Sequence, residues 1–163
     1  MALVACGKAH TVVYTRSGKL FSFGSNAEGQ LGVGRAPEYS DIPMELSSAK
    51  EVIREEVAKL AAGSVHSLAL GRKTGESPTA FNAREKHNES LSSSPPGQIY
   101  VWGSNTDGQL GLGPDTEEMI FAPALLKLPS TFDSSTYITD IRFAAFNFFV
   151  NYVNYASADI ITF

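Results

Sequence analysis

The sequence predicts an all-β chain made of repeated antiparallel sheets, and three observations carry that prediction. Gly24-Ser-Asn-Ala-Glu-Gly-Gln-Leu-Gly-Val-Gly34 recurs as Gly103-Ser-Asn-Thr-Asp-Gly-Gln-Leu-Gly-Leu-Gly113 with every glycine kept. Upstream of each copy, Ala5-Cys-Gly-Lys-Ala-His-Thr-Val-Val13 recurs as Ala61-Ala-Gly-Ser-Val-His-Ser-Leu-Ala69. The apolar runs around both elements are short, rich in β-branched and aromatic residues, and bounded by Gly, Ser and Lys. Self-similarity of this kind marks an array of small units, each unable to bury both of its faces alone and therefore stacked on its neighbours.

The elements follow in order. Val4 to Gly7 is a short strand, His10 to Thr15 a second, Arg16 to Lys19 a tight turn, and Leu20 to Phe23 the return strand. Gly24 and Gly29 mark backbone that needs positive φ or close approach, with Asn26 and Glu28 as turn formers. Leu31 and Val33, between glycines, are expected to form a final short inner strand. Ser48 to Glu51 reads as a capping box, and the window through Ala61 favours a helix on its own. Val57 to Ala62, however, aligns with Leu3 to Cys6, and pairing overrides propensity. Only Ser48 to about Glu55 is left for a helical turn.

In the second unit Ile99 to Trp102 matches Leu20 to Phe23. Gly7 to Gly63 is a step of 56 residues and Gly24 to Gly103 one of 79, so the second unit carries an insert, Arg72 to Pro96. Its Ser-Pro pairs and mixed charge predict an exposed loop, a tolerated insertion or a partner-binding or phosphorylated segment with Ser77 and Ser94 as the candidate sites. Asn88-Glu-Ser90 is a glycosylation sequon that is idle in a cytosolic setting. A third unit opens at Ile138, but Ala144 stands where the template has Gly and Asn147 where it has His. The boundaries are thus 1–47 (signature 3–34), 48–137 (signature 57–113, loop 72–96) and 138–163. The tail 142–163 is divergent, either foreign to the repeat or an apolar tail docked on an open face.

Together, Ala-Cys-Gly-x-x-His-Thr and Leu-Phe-Ser-Phe-Gly-Ser-Asn-x-x-Gly-Gln-Leu-Gly-x-Gly resemble the repeat of the regulator of chromosome condensation family. The resemblance implies a β-propeller of about seven four-stranded blades, each on the order of 50 residues. On that template 163 residues hold two four-stranded blades and the start of a third, a fragment whose ring is not closed. The resemblance also implies a non-catalytic protein-binding scaffold whose partners are small GTPases of the Ran and Arf-like groups or their effectors. The sequence looks most like the retinitis pigmentosa GTPase regulator branch, which implies a cytoplasmic, ciliary or basal-body location. The alternatives are an exchange factor for Ran on chromatin, which would be nuclear, and the propeller of a ubiquitin ligase. Two open blades are expected to be marginal or to aggregate alone.

Composition narrows the choice. A formal charge of −4 and the lack of a basic arm argue against a nucleic-acid surface. One cysteine, Cys6, excludes an internal disulfide and fits a reducing compartment. Met1-Ala-Leu-Val lacks the charged start of a signal peptide, and Phe143 to Val153 is too short to span a membrane as a helix. Gly29-x-x-Gly32-x-Gly34 lacks the Gly-Lys-[Ser/Thr] ending of a phosphate loop. Glu55, Glu56, Glu117 and Glu118 read as a solvated face, and Trp102, standing where Phe23 does, as a core aromatic. No catalytic triad or metal-ligand set can be assembled, so neither enzyme activity nor a cofactor is expected. Gly7, His10, Gly24, Asn26, Gly29, Gln30, Gly32 and Gly34, with Gly63, His66, Gly103, Asn105, Gly108, Gln109, Gly111 and Gly113, are read as a structural frame. In it the histidine ring nitrogens are expected to satisfy backbone groups at the turns.

Overall fold

The computed structural model describes residues 2–35, 37–72, 98–127, 136–144, 147–154 and 160–162. The first unit is a four-stranded antiparallel sheet of β1 (Leu3–Cys6), β2 (His10–Tyr14), β3 (Leu20–Ser25) and β4 (Tyr39–Glu45), in that spatial order. A single helical turn, α1 (Ala49–Val52), leads into a second sheet of the same order. It comprises β5 (Glu56–Ala62), β6 (His66–Arg72), β7 (Ile99–Ser104) and β8 (Met119–Leu125). A third sheet pairs β9 (Thr136–Ala144) with β10 (Asn147–Asn154) and β10 with β11 (Ile160–Thr162). The first strands lie side by side, β1 against β5 and β5 against β9. This is a partial β-propeller with an open ring.

The window from Ser48 resolves as the repeat demands, because residues 56–62 pair with β6 rather than continuing the helix. Ser48 sits in helical backbone and makes no side-chain cap bond, so the capping box does not form. Leu31 and Val33 do not form a strand. The fourth strand comes later, at Tyr39–Glu45 and Met119–Leu125, in segments whose Pro43 and Pro123 disguise them. Both lie at sheet edges, where a missing N–H leaves no ladder bond unmade. Both units also shift register at the same place, between Ser22 and Gly24 and between Val101 and Gly103. Arg72, placed by the sequence in the loop, belongs to β6; Ser77, Ser94 and Asn88 fall outside the described residues. Although the signature is lost at Ala144 and Asn147, β9 and β10 still pair as an antiparallel hairpin. Residues 142–144, 147–154 and 160–162 of the divergent segment are strand.

The core sits between sheets. Val12, Tyr14 and Leu20 of the first sheet meet Ala69, Tyr100 and Trp102 of the second, with Leu46, Ala49, Ile53 and Val57 closing one end. Leu68, Leu70, Ile99 and Val101 alternate onto the opposite face and pack with Leu110 and Leu126. β6 is therefore buried along its whole length, as expected of a strand covered on both faces. The outward face of the first sheet lacks that cover: Thr11, Val13, Phe21 and Phe23 are only half-buried and Val4 is 62% exposed.

Candidate protein-interaction surface

The repeated residues are spent on the frame. Asn26 accepts the Leu31 N–H through Oδ1 at 3.1 Å and donates through Nδ2 to the Gly34 and Pro37 carbonyls, both at 2.9 Å. Asn105 does the same with the Leu110 N–H at 3.1 Å and the Glu117 carbonyl at 3.5 Å. Gln30 and Gln109 each accept the backbone N–H two residues back, at 2.8 Å. Gly7 and Gly63 donate to the carbonyls of His10 and His66, and Gly29, Gly108 and Gly111 continue the turns of the glycine loops. Glycine is obligatory at Gly24 and Gly103, which have φ near +106° and +107°; a side chain there would strike the Ala9 or Val65 carbonyl of the adjacent turn.

The first glycine loop is the joint between sheets. Gly34 donates to the Phe121 carbonyl at 2.9 Å, Gly29 lies against Ile120, and Gly32 lies flat on Trp102 and Leu46. The Gln30 carbonyl receives the Trp102 indole N–H at 3.0 Å and the Ser67 hydroxyl at 3.1 Å. Ser67 has one proton and gives it to Gln30, so its contact with His10 Nε2 at 2.8 Å makes the histidine the donor. Neutral His10 then carries its proton on Nε2 and leaves Nδ1 bare, which agrees with the absence of any partner for that atom. The sequence expectation that this ring satisfies backbone groups is thereby corrected: it bonds a hydroxyl of the next sheet. Burial lowers the His10 pKa to about 4, with the His66 charge adding to the effect, and burial alone takes His66 to about 4.

This Ser–His contact cannot act as a nucleophile and base. Ser67 is fully buried, its proton points at a carbonyl, and no carboxylate orients the ring. Among the described residues no group of three or more His, Cys, Asp or Glu is placed to hold a metal, and no helix is long and apolar enough to cross a membrane. The glutamates divide. Glu117 is solvated, with Arg35 at 3.4 Å, whereas Glu56 holds the buried Arg72 at 2.7 Å and Glu55 accepts the Gln98 N–H at 3.4 Å. Glu56 nonetheless keeps 44% of its side chain exposed, in keeping with the solvated face read from the sequence, and Glu55 is half-buried.

What the frame leaves over gathers at one end of the sheets. Lys8 on the β1–β2 turn, Ser64 and Val65 on the β5–β6 turn, Glu28 in the first glycine loop, and Thr106 and Asp107 in the second line a cleft of about 380 Å³. His66, Ser104 and Gln109, which also line the cleft, are shared by both repeats, but the other turn positions here differ between them: Lys8 against Ser64, Ala9 against Val65, Ala27 against Thr106, Glu28 against Asp107. The differing positions are all exposed or half-buried, while the shared His, Asn, Gln and Leu are buried. Polar differences at the turns between the repeats are the sequence signal for this rim, whereas the differences at Val12 and Leu68 or Ser22 and Val101 fall at buried strand positions. Ser67 also had a visible signal, the hydroxyl that follows His in both units, but its partner across the joint did not.

Residues 17–70 and 96–143 match the Regulator of chromosome condensation (RCC1) repeat, and residues 2–30 match a second description of the same repeat. The human probable E3 ubiquitin-protein ligase HERC6 is 31% identical over 111 residues, 68% of this chain and 8% of the ligase. The secretion-regulating guanine nucleotide exchange factor of Bos taurus is 32% identical over 145 residues, 66% of this chain and 30% of the factor. The human X-linked retinitis pigmentosa GTPase regulator is 36% identical over 115 residues, 71% of this chain and 8% of the regulator. The chain thus spans less than a third of the length of each of these relatives.

Proposed function

The chain belongs to the regulator of chromosome condensation repeat family, and from that premise we propose that it serves as a non-catalytic, protein-binding section of a propeller whose partner is a small GTPase. One observation carries the reading. The glycines, histidines, asparagines and glutamines common to both repeats build the turns and loops of the sheets, while at the exposed or half-buried turn positions Lys8/Ser64, Ala9/Val65, Ala27/Thr106 and Glu28/Asp107 the repeats differ around a cleft. A rim that varies from blade to blade on a constant frame is how a rigid scaffold presents a specific surface to one protein. Regulators and exchange factors of GTPases among the relatives support the partner class. The likeness to the retinitis pigmentosa GTPase regulator supports placing this function in the cytoplasm at the cilium.

The test is a binding panel. The immobilised chain is offered Ran-type and Arf-like GTPases, each loaded with GDP or GTP or stripped of nucleotide, and release of a fluorescent nucleotide is followed in parallel. The expected result is binding of at least one GTPase, weakened tenfold or more by Lys8→Glu or Asp107→Lys, with no acceleration of nucleotide release. Accelerated release would replace the scaffold by an exchange factor. Binding untouched by both rim variants would remove the rim as the contact surface.

A further inference from the structure

In an antiparallel pair, residues directly opposite share one face of the sheet, so the register sorts the side chains of the first sheet. Leu3, Tyr14 and Leu20 make one row and Ala5, Val12 and Ser22 the next, and both look onto the second sheet. Val4, Val13 and Phe21 make a row on the opposite face, with Cys6, Thr11 and Phe23 beside it. Glu45, opposite Phe21, and Tyr39, opposite Ser25, extend that outward face onto β4. Thr11, Val13, Phe21 and Phe23 are half-buried, Cys6 is exposed, and Val4 and Tyr39 are 62% and 65% exposed.

The molecule also shows what a face of this kind does. The matching residues of the second sheet are Leu60, Ser67, Ala69, Tyr100 and Trp102, and the last four are no more than 1% exposed because the first sheet packs on them. Of the residues that the register places on the outward face, only Glu45 is charged, and it is held at the corner by Lys19 at 3.1 Å and Lys50 at 2.8 Å. Two copies of this apolar face therefore meet without opposing like charges. Among the described side chains no other sheet face stands open: β6 is buried along its length, and Leu68, Leu70, Ile99 and Val101 on the far side of the second sheet are all 0% exposed. As a described sheet surface a second molecule has only this same face to offer, and a contact between identical patches is two-fold and closed.

We propose that a second copy of this chain covers the outward face of the first sheet, the two first sheets packing face to face about a two-fold axis. Sheets stack in this way about 10 Å apart with the side chains of their inner faces interleaved, and Val13, Phe21 and Phe23 supply those side chains here. A face four strands wide and about five residues long projects roughly 300 Å², short of the ~800 Å² that each partner gives to a standard interface, so the dimer is weak and parts on dilution. Ile42, 67% exposed on the edge strand, borders the contact. The rim cleft lies in the turns at one end of the sheets, so the dimer stands whether or not the rim binds a GTPase.

Sedimentation of the full chain in a non-thiol reductant, over a hundredfold range of concentration, tests the proposal. The expected result is a reversible shift from monomer to dimer that goes no further. Cys6, the only cysteine, supplies a second reading: its alkylation should slow at least threefold at the top of that range, because the partner covers it. Val4→Lys and Tyr39→Lys, at positions exposed enough to leave the core intact, should each weaken dimerisation tenfold or more. Leu125→Lys, at a leucine 40% exposed on the second sheet, should leave it unchanged. A monomer throughout, species that keep growing past the dimer, or a Cys6 alkylation rate indifferent to concentration would overturn the proposal, as would Leu125→Lys acting as strongly as Val4→Lys.

Discussion

Lowering the pH from 7.5 to 5 should loosen the joint between the first two sheets, because the folded state refuses protons that the unfolded chain accepts. His10 and His66 both fall from 6.5 to about 4 on folding. A folded pKa below the unfolded one means that the unfolded chain binds more protons between about pH 6.5 and 4. The stability held by each histidine is thus complete above pH 6.5 and is lost as pH falls through that window. At ~1.4 kcal/mol per pH unit, each histidine costs about 2 kcal/mol at pH 5, or roughly 4 kcal/mol for the pair, a large share of the 5–15 kcal/mol that holds a domain. The structural cause is clearest at His10, where a second proton would sit on Nδ1 with no acceptor and close to His66. Trp102, the only tryptophan, is fully buried at the joint and reports its opening. Urea titrations at low protein concentration, followed by its emission at pH 7.5, 6 and 5, should show a falling midpoint that His10→Gln makes about half as steep. A midpoint constant down to pH 5, with loss only below about pH 4.5 where carboxylates titrate, would refute this account.

Other outcomes follow from the same geometry. Ser67→Ala should cost about 1–3 kcal/mol in a denaturant titration, since it leaves the buried His10 Nε2–H without an acceptor. Gly32→Ala should lower the melting temperature far more than Gly113→Ala: both have positive φ, but a Cβ at Gly32 would lie 2.8 Å from Trp102, whereas at Gly113 it would meet open space. Arg72→Ala, which removes a buried two-pronged contact with Glu56, should cost at least 1 kcal/mol more than Arg35→Ala, whose partner pair is 73% exposed on both sides. Sedimentation should reveal concentration-dependent self-association, because the open first sheet and its edge strand expose Val4, Tyr39 and Ile42 at 62%, 65% and 67%; Ile42→Lys should reduce it.

The glycine loops were legible because their physics is local. A positive φ at Gly24 or Gly103 and an Asn side chain that bonds backbone groups five to eleven residues on leave the same trace wherever they occur. The strand at Glu56–Ala62 was legible only through its copy at Leu3–Cys6, since the window itself favours a helix and the decisive ladder runs to β6. The fourth strands escaped notice. A proline at a sheet edge costs nothing once the edge exists, but no pattern within Tyr39–Glu45 says that an edge is there.

The sequence by itself determined the repeat, the antiparallel hairpins, and which residues form the frame, because each of these is an arrangement of groups within a few tens of residues along the chain. Only the tertiary structure decided what those groups meet across the joint. His10 donates to Ser67, Ser67 and Trp102 share the Gln30 carbonyl, and Arg16 comes to share a cleft with Arg54. These partners lie 57, 37 and 72 residues apart for the three hydrogen bonds, and such pairings are selected by how one sheet stacks on the next rather than by any local preference of the chain.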